Sequence, residues 1–205
     1  MRSDRALSMN NLHLFELINA PPGLNPLQLG LATLLARWVI YLIPLMIAVA
    51  WVRGDRSARR ELLQILLAVA IALGLAQIVT HVWPQPRPFA LHLGVQYLAH
   101  DMDPGLPSDH VTVFWSVALA ALASRKFALW SLPLLALGLL VGWSRVYLGM
   151  HFPFDIAAAL PVALAGTVVA LALRAPLRPA VEWALALYDR LASSLHTRLH
   201  PSRKP

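Results

Sequence analysis

Long apolar stretches alternate along the chain with short polar or charged connections. Five stretches are apolar enough to be membrane helices, and they cover residues 27–52, 62–83, 111–123, 127–146 and 154–173. Most of them approach the roughly 20 residues that an α-helix needs to cross a bilayer. The third stretch is short, and it suffices if residues 108–110 form its first turn inside a protein-lined cavity. The pattern predicts an all-α fold, a polytopic membrane helix bundle of about five spans.

The two ends of the chain are less apolar than its middle. Residues 1–25 carry leucines and Phe15 between polar residues, which indicates an N-terminal helix lying in the membrane interface. Pro21, Pro22 and Gly23 are expected to end that helix. Residues 182–199 have the pattern of an amphipathic helix. We therefore predict a membrane domain, residues 1–176, followed by an amphipathic C-terminal tail, residues 177–205.

Composition agrees with a single membrane domain. The chain has 205 residues, of which 58% are hydrophobic and 13% are charged, whereas about a quarter of the residues in an average soluble domain are charged. Its mean hydropathy is +0.61. There is no cysteine, which excludes a disulfide framework and thiolate chemistry. The net charge of +7 does not indicate a nucleic-acid partner, because the basic residues collect between and after the apolar stretches.

The distribution of basic residues predicts the orientation in the membrane. Alternate connections and the tail are rich in arginine and lysine, and the opposite connections are poor in them. Because cytoplasmic loops carry an excess of Lys and Arg, we expect the basic side and the tail in the cytoplasm. An odd number of spans then places the amino terminus outside. The basic side holds Arg53, Arg56, Arg59, Arg60, Arg125, Lys126, Arg174, Arg178, Arg190, Arg198, Arg203 and Lys204.

One polar stretch between the fourth and fifth apolar stretches carries Ser144, Arg145, His151 and Asp155. Polar side chains at membrane depth are costly, so such residues are functional candidates. If Pro153 lies in the first turn of a helix, His151 and Asp155 share one face. The carboxylate could then hold one imidazole nitrogen and leave the other free to attack. The guanidinium of Arg145 offers a planar fork of donors for phosphate or carboxylate.

Two further polar stretches lie at the same predicted side of the membrane. Arg87 follows the second apolar stretch, and by itself it could be only an interfacial anchor. Together with Arg145 it would form an anion clamp. Ser108 precedes the third stretch and could cap a helix, which would also direct free backbone amides toward an anion. His110 lies two residues further on, which favours a role beside Ser108.

The three stretches together resemble the signature of the type-2 phosphatidic acid phosphatase superfamily. That signature is Lys-x6-Arg-Pro, then Pro-Ser-x-His, then Ser-Arg-x5-His-x3-Asp. The third motif is complete from Ser144 to Asp155, and the second is Pro107 to His110. The first keeps Arg87 and Pro88 but has Thr80 in place of the lysine, and His81 and Gln85 are the candidate substitutes. The residues within and around these motifs are similar to those of the bacitracin-resistance branch, which contains undecaprenyl-diphosphate phosphatases.

The resemblance implies a phosphatase that forms a phosphohistidine. In that scheme His151 attacks the terminal phosphorus, Asp155 orients it, and His110 protonates the leaving group and then activates water. No metal and no cofactor is implied. The implied substrate-binding residues are Arg87, Pro107, Ser108, Asp109, Ser144 and Arg145.

The resemblance also implies the substrate and the location. The partner would be a polyprenyl diphosphate lipid, in a membrane of other lipids, and the reaction would recycle the carrier lipid of cell-wall synthesis. The enzyme would lie in the bacterial inner membrane, with its active site on the periplasmic or outer face.

Other functions remain open at this point. A phosphatidylglycerophosphate phosphatase, a phosphatidate phosphatase or a lipid phosphotransferase would use the same residues. A lipid or anion carrier could use the arginines for binding only, although a carrier does not need a His–Asp pair beside a second histidine. A metal-dependent hydrolase could use the histidines and aspartates as ligands.

The remaining polar residues of the connections fit no motif. We interpret His81, His92 and His100 as interfacial residues, and Asp101 and Asp103 as solvated loop residues.

Overall fold

The structure is a computed structural model that describes residues 2–199, and all regular structure in this range is helical. Four helical segments are long and apolar enough to cross a membrane, and a fifth apolar helix is shorter. The predicted fold class, an all-α polytopic bundle, is confirmed. The helices are α1 (Arg2–Ile18), α2 (Pro26–Thr33), α3 (Leu42–Arg53), α4 (Arg56–Val82), α5 (Asp109–Leu122), α6 (Ser131–Tyr147), α7 (Pro153–Ala172) and α8 (Arg174–Leu199).

The first spanning segment, Pro26–Arg53, is helical throughout but not uniformly α-helical. Asn25 caps it by accepting a 2.9 Å hydrogen bond from the Gln28 amide. A π-helical turn, Leu34–Trp38, and a short 3-10 turn then separate α2 from α3. Such turns inside helices are often found at functional sites.

The short helix α5 lies at the centre of the bundle, where it packs against α4, α6 and α7. It is buried along most of its length. Because protein surrounds it, its 14 residues do not have to match the thickness of the bilayer. Helices α4 and α7 approach each other closely at Gly166, where an added Cβ would lie 2.6 Å from the Cβ of Ala72.

Helix α1 packs against α6 and α7 rather than standing apart from the bundle. Phe15 is fully buried, and its ring meets that of Phe152 edge to face at 5.3 Å. The Asn11 side chain accepts a 3.0 Å hydrogen bond from the Phe154 amide. The predicted interfacial position of this helix stays a prediction, but its C-terminal half is part of the frame around the α6–α7 turn.

Two boundaries differ from those expected. The second apolar stretch begins at residue 62, yet α4 already begins at Arg56, within the charged connection before that stretch. Asp55 caps the helix there by accepting a 2.7 Å bond from the Ala58 amide. The tail helix α8 begins at Arg174 and not at residue 182, and it runs without a break through the predicted boundary between residues 176 and 177. Ion pairs between α4 and α8, such as Arg56–Asp189 at 2.8 Å, hold it against the bundle. The division into two domains stays a prediction.

The alternating direction of α4 to α7 gives the bundle two different ends. What we call the site end consists of residues 83–108 between α4 and α5 and residues 148–152 between α6 and α7. The basic end consists of Gly54 and Asp55, residues 123–130 and the first turns of α8. All three sequence motifs lie at the site end, and most of the basic residues lie at the other.

Candidate active site

His151 occupies the turn between α6 and α7 and is 1% exposed. The turn depends on Gly149, whose φ is +81° and where a side chain would collide with the Val95 carbonyl. Pro153 is the first residue of α7, as expected. The turn therefore fixes the imidazole beside the N-terminus of α7, close to Asp155.

Hydrogen bonds determine which nitrogen of His151 carries its proton. Nη1 of Arg87 lies 2.9 Å from Nε2 of His151. A guanidinium can only donate, so Nε2 must be the acceptor and the proton must be on Nδ1. Nδ1 lies 3.2 Å from Oδ2 of Asp155 and donates to it. The imidazole is thus oriented by the carboxylate, with the lone pair of Nε2 directed at the cationic side of the site.

The charge state of His151 suits nucleophilic chemistry. Burial, together with the positive charges of Arg145 and Arg87, holds the pKa of His151 well below its ordinary value of 6.5. The ring is therefore neutral near pH 7, and its free lone pair is available.

Asp155 joins the second and third motifs. Its Oδ2 also accepts a 2.9 Å bond from the Phe152 amide, which fixes the carboxylate at the first turn of α7. Its main-chain oxygen accepts a 3.1 Å bond from the Ser108 amide. Gly105 lies beside it, and an added Cβ there would be 3.0 Å from Oδ2 of Asp155 and 3.1 Å from Cγ of Arg87. A side chain at residue 105 would therefore press on the Asp155 carboxylate and on Arg87, which would have to shift by a few tenths of an ångström.

Arg87 is buried, with 5% exposure, and most of its donors are in use. Besides His151, Nη1 donates to the Met150 carbonyl at 3.2 Å. Nε and Nη2 donate to Oδ1 and Oδ2 of Asp103 at 3.2 and 3.1 Å. A carboxylate therefore occupies the fork of the arginine, in a two-bond arrangement that a phosphate can also adopt.

Arg145 is buried to a similar degree, with 4% exposure. Nη1 donates to the Ala36 carbonyl at 2.9 Å, in the π-helical turn of the first spanning segment. Nη2 lies 3.3 Å from Nε2 of His100. Nε is buried and, within the described residues, has no hydrogen-bond partner. An unpaired donor on a buried cation is unfavourable unless an anion approaches it.

His100 links the two arginines and belongs to no motif. Its Nδ1 lies 3.5 Å from Oδ1 of Asp103, the partner of Arg87, and its Nε2 lies against Arg145. Burial first, and then the charges of Arg87 and Arg145, lower the pKa of His100 below 6.5. The interpretation of His100 as an interfacial residue and of Asp103 as a solvated loop residue missed these contacts. The available signal was an acid–base pair three residues apart, just before the second motif.

Ser108 lies at the N-cap position of α5, as expected, but its hydroxyl caps nothing. The residue is fully buried, and Oγ has no hydrogen-bond partner among the described residues. His110, the second residue of α5, is half-buried, while Asp109 at the start of the helix is exposed. The buried hydroxyl is a second donor without an acceptor, beside the main-chain contact to Asp155.

The other predicted site residues have structural contacts. Ser144 is buried, and its hydroxyl donates to the Val141 carbonyl of its own helix at 2.7 Å. Pro107 is buried and follows a cis peptide bond. Their roles in binding substrate, like that of Asp109, stay predictions.

At the position of the family lysine, the Thr80 hydroxyl lies 2.9 Å from the carbonyls of Ala76 and Leu106. It therefore ties α4 to the second motif without supplying charge. His81 is exposed, with Nδ1 2.8 Å from the Gln77 carbonyl of its own helix.

An open cavity of about 380 Å³ borders this cluster. His100, His110 and Arg145 line its polar side, and Ala36, Leu98 and Met150 line its apolar side. Arg37 lies at its edge, exposed and 5.6 Å from the ring centre of Trp38. The cavity thus extends from the buried cations toward the first spanning segment, where an apolar chain could leave sideways.

Comparison with known proteins agrees with the motifs. A family model described as the PAP2 superfamily matches residues 61–178, a range that contains all three motifs. The chain is 39% identical to YbjG of Escherichia coli (strain K12), by its name a candidate undecaprenyl-diphosphatase, over 76% of this chain and 78% of the relative. It is 26% identical to the undecaprenyl-diphosphatase BcrC of Bacillus subtilis (strain 168), over 90% of this chain and 95% of the relative.

A solved structure supports the fold. The crystal structure of Aquifex aeolicus LpxE superposes with a TM-score of 0.63 at 22% identity, and the match covers 78% of this chain and 94% of the other. The long apolar helices, together with relatives that are associated with membranes, indicate a multi-pass membrane protein. The third motif is complete, the family model covers more than half of the chain, and the helices are arranged accordingly. This chain therefore belongs to the PAP2 superfamily.

Proposed function

We propose that this chain is an undecaprenyl-diphosphate phosphatase, which hydrolyses the carrier-lipid diphosphate to the monophosphate and inorganic phosphate. The names of two relatives, at 39% and 26% identity over most of their lengths, support this substrate. The reaction would return carrier lipid to cell-wall synthesis. An enzyme rather than a carrier is favoured, because the site contains an oriented and neutral imidazole in addition to its cations.

The observation that carries the proposal is the position of His151. Nδ1 donates to Asp155, and Nε2 receives a bond from Arg87 at 2.9 Å. When a phosphate binds between Arg87 and His151, the phosphate oxygens accept the hydrogen bonds of the guanidinium in place of Nε2. The lone pair of Nε2 then faces the phosphorus atom. One arginine would then hold the electrophile beside the nucleophile, which is the positioning that phosphoryl transfer needs.

In the first step Nε2 of His151 attacks the terminal phosphorus, and the bond from phosphorus to the bridging oxygen breaks. His110 donates a proton to that oxygen, which leaves on the lipid monophosphate. Asp155 stabilises the positive charge that develops on the imidazole. The leaving group is a phosphate rather than an alcohol, so it needs less help from an acid.

In the second step the neutral His110 takes a proton from water, and the hydroxyl attacks the phosphohistidine. The bond between phosphorus and Nε2 breaks, which releases inorganic phosphate and restores the neutral His151. Arg87, Arg145 and Ser108 would stabilise the equatorial oxygens in both steps. The unpaired Nε of Arg145 and Oγ of Ser108 support this role, because each is a buried donor without an acceptor.

The proposed location is the bacterial inner membrane, with the site on the outer, periplasmic face. The support is the excess of arginine and lysine at the basic end, which belongs in the cytoplasm. The chain has no cysteine, so a single introduced cysteine reports its own accessibility. Asp101→Cys should react with an impermeant thiol reagent applied from the periplasmic side, and Arg125→Cys should not. The reverse pattern would place the site in the cytoplasm.

Phosphate release by the purified protein from a panel of lipids tests the substrate. Undecaprenyl diphosphate should be cleaved with a higher kcat/KM than phosphatidate or phosphatidylglycerophosphate, in the presence of excess EDTA. A tenfold preference for a glycerolipid monophosphate would refute the proposed substrate but leave the mechanism intact. Loss of activity in EDTA, restored by a divalent metal, would refute the mechanism.

A further inference from the structure

A second cavity, larger than the one beside the site, lies at the basic end, away from the proposed chemistry. Its volume is about 630 Å³, against about 380 Å³ for the cavity at the site end. Residues of α4, α5, α7 and α8 form its walls. Neither the family signature nor the proposed reaction gives it a role.

The charged lining of this cavity is unbalanced. It contains Arg60, Arg174 and Arg178 against a single acid, Glu61. That acid is already engaged, because it accepts from the Ser124 hydroxyl and, at 3.0 Å, from the Lys126 amide. The cavity therefore has an excess of positive charge that its own carboxylate does not neutralise.

The three arginines differ in their partners. Arg60 forms an ion pair with Glu182, which also pairs with Arg56 at 3.3 Å. The Nε of Arg60 is nevertheless buried and has no hydrogen-bond partner among the described residues. Among the side chains of residues 9–194, Arg174 and Arg178 form no ion pair, and both are exposed on the first turns of α8. Arg174 lies close enough to Glu61 for the two charges to interact, yet it forms no direct ion pair with that carboxyl. Two guanidinium groups without ion pairs among the described side chains and one buried donor thus surround the same space.

Apart from Gln64 and Ser124, the remaining lining is apolar, and this indicates which kind of anion the cavity suits. Ala123, Leu171 and Val181 line the cavity, and Leu173 and Leu177 beside it are 37% and 36% exposed. This mixture lies where α7 ends its span and α8 begins. A soluble anion would gain nothing from the apolar wall, whereas a lipid presents a phosphate and an acyl chain together. Basic pockets between membrane helices on the cytoplasmic side are suited to such headgroups.

We propose that the cavity at the basic end binds the phosphate of an anionic phospholipid, with Arg174 and Arg178 as its main ligands and Arg60 Nε as a further donor. The lipid would fill the space between α7 and α8 and fix the tail helix to the bundle. This site would be separate from the active site and would not take part in hydrolysis.

Lipid binding by the purified full-length protein in detergent tests the proposal. Short-chain phosphatidylglycerol should raise the apparent Tm in a saturable way, and phosphatidylcholine should not. The double variant Arg174→Gln/Arg178→Gln should bind phosphatidylglycerol roughly thirtyfold more weakly. Arg125→Gln is the matched control, because Arg125 is exposed at the same end but does not line the cavity. It should bind as the wild type does.

Two further measurements keep the test decisive. Ala175→Phe fills the cavity without removing charge, and it should abolish phosphatidylglycerol binding even if the double variant does not fold. Turnover of the diphosphate by Ala175→Phe should remain within about twofold of wild type. Unchanged lipid affinity in Ala175→Phe, or equal protection by millimolar inorganic phosphate, would overturn the proposal, the latter in favour of a site for free anions.

Discussion

The two ends of the bundle use arginine in opposite ways. At the site end, Arg87 and Arg145 are 5% and 4% exposed, and at the basic end the side chains of Arg56 and Arg60 are 43% and 37% exposed. A buried cation must be paired, and removing its partner is strongly destabilising, about 3–5 kcal/mol. An exposed ion pair typically contributes about 0–1 kcal/mol. The comparison indicates that the site end is built for an anion, whereas the exposed pairs mainly position α8.

The connections at the two ends differ in the same sense. Helices α4 and α5 are joined by residues 83–108 at the site end, whereas Gly54 and Asp55 alone separate α3 from α4 at the basic end. The long connection supplies Arg87, His100 and Asp103 to the site. Loops that carry functional groups on a rigid scaffold are common in enzymes, and short turns mainly connect helices.

The largest expected effect is the loss of the nucleophile. His151→Ala should lower kcat by about a thousandfold or more, because no other described group is oriented in the same way. Phosphate release measures this. His81→Ala is the control, since His81 is exposed and contacts only its own helix. Near wild-type phosphate release by His151→Ala would show that His151 is not the nucleophile, and the site end would then differ from the basic end only in the burial of its arginines.

The next effect concerns the buried arginines. Arg145→Lys keeps the charge but loses the planar fork that reaches both Ala36 and His100. We expect kcat/KM for the diphosphate to fall about a hundredfold. Arg125→Lys, the same change at the basic end, should leave kcat/KM unchanged. Equal effects in the two variants would show that burial does not distinguish the two ends.

A smaller effect should follow from the residue that links the arginines. His100→Ala removes the contacts to Arg145 and Asp103, so the fork of Arg145 loses one support. The KM for undecaprenyl diphosphate should rise about tenfold, with kcat nearly unchanged. Steady-state kinetics at several substrate concentrations separate the two parameters. A fall in kcat with constant KM would instead indicate a role in the chemical step.

The pH dependence of stability should also differ between the ends. The pKa of His151 is lowered in the folded state, so the unfolded state binds more protons below 6.5 and stability falls as the pH drops below that value. The free energy of unfolding can fall by up to about 1.4 kcal/mol for each pH unit. At the basic end, the bond from the Ala58 amide and that from Lys126 lower the pKa of Asp55, whose contribution persists until the pH falls below 3.8. Apparent Tm should therefore fall between pH 6.5 and 5.

The variant His151→Gln provides the control for that measurement. It should lessen the fall in apparent Tm between pH 6.5 and 5 without abolishing it, because the lowered pKa of His100 contributes in the same direction. Asp55→Asn should not change the fall in this range. An identical pH profile in wild type and His151→Gln would contradict the buried neutral imidazole.

The smallest effect is expected from a surface ion pair. Arg56→Ala removes contacts to Glu182 and Asp189, but all three side chains are partly exposed. The loss of unfolding free energy should be below about 1 kcal/mol, and activity should be unchanged. Thermal unfolding and phosphate release measure both. A loss of activity would show that the basic end is coupled to the site.

The sequence was sufficient for the spans and for most of the cluster around His151. All the apolar stretches except residues 111–123 reach the roughly 20 residues of a membrane helix. The spacing of His151 and Asp155 predicts that the two side chains share one face. Pro153 at the start of α7 follows from its ring, which suits the first turn of a helix. These features depend on local periodicity and local geometry, which a sequence displays directly.

The remaining contacts depend on tertiary packing. The Ala36 carbonyl meets Arg145 across 109 positions in the chain, and no local pattern indicates this contact. The contact between Asp103 and Arg87 forms in an irregular loop, where there is no periodicity to read.

The central claim is that His151 is the nucleophile of a lipid diphosphatase, and its most direct test is the identification of the phosphorylated residue. The wild-type protein and His110→Ala are mixed with undecaprenyl diphosphate, quenched in base within milliseconds to seconds, and digested for mass spectrometry. We predict phosphate on the peptide that contains His151, accumulating most in His110→Ala and absent in His151→Ala. Phosphate on another residue, or steady turnover with no phosphorylated peptide at any time, would contradict the account.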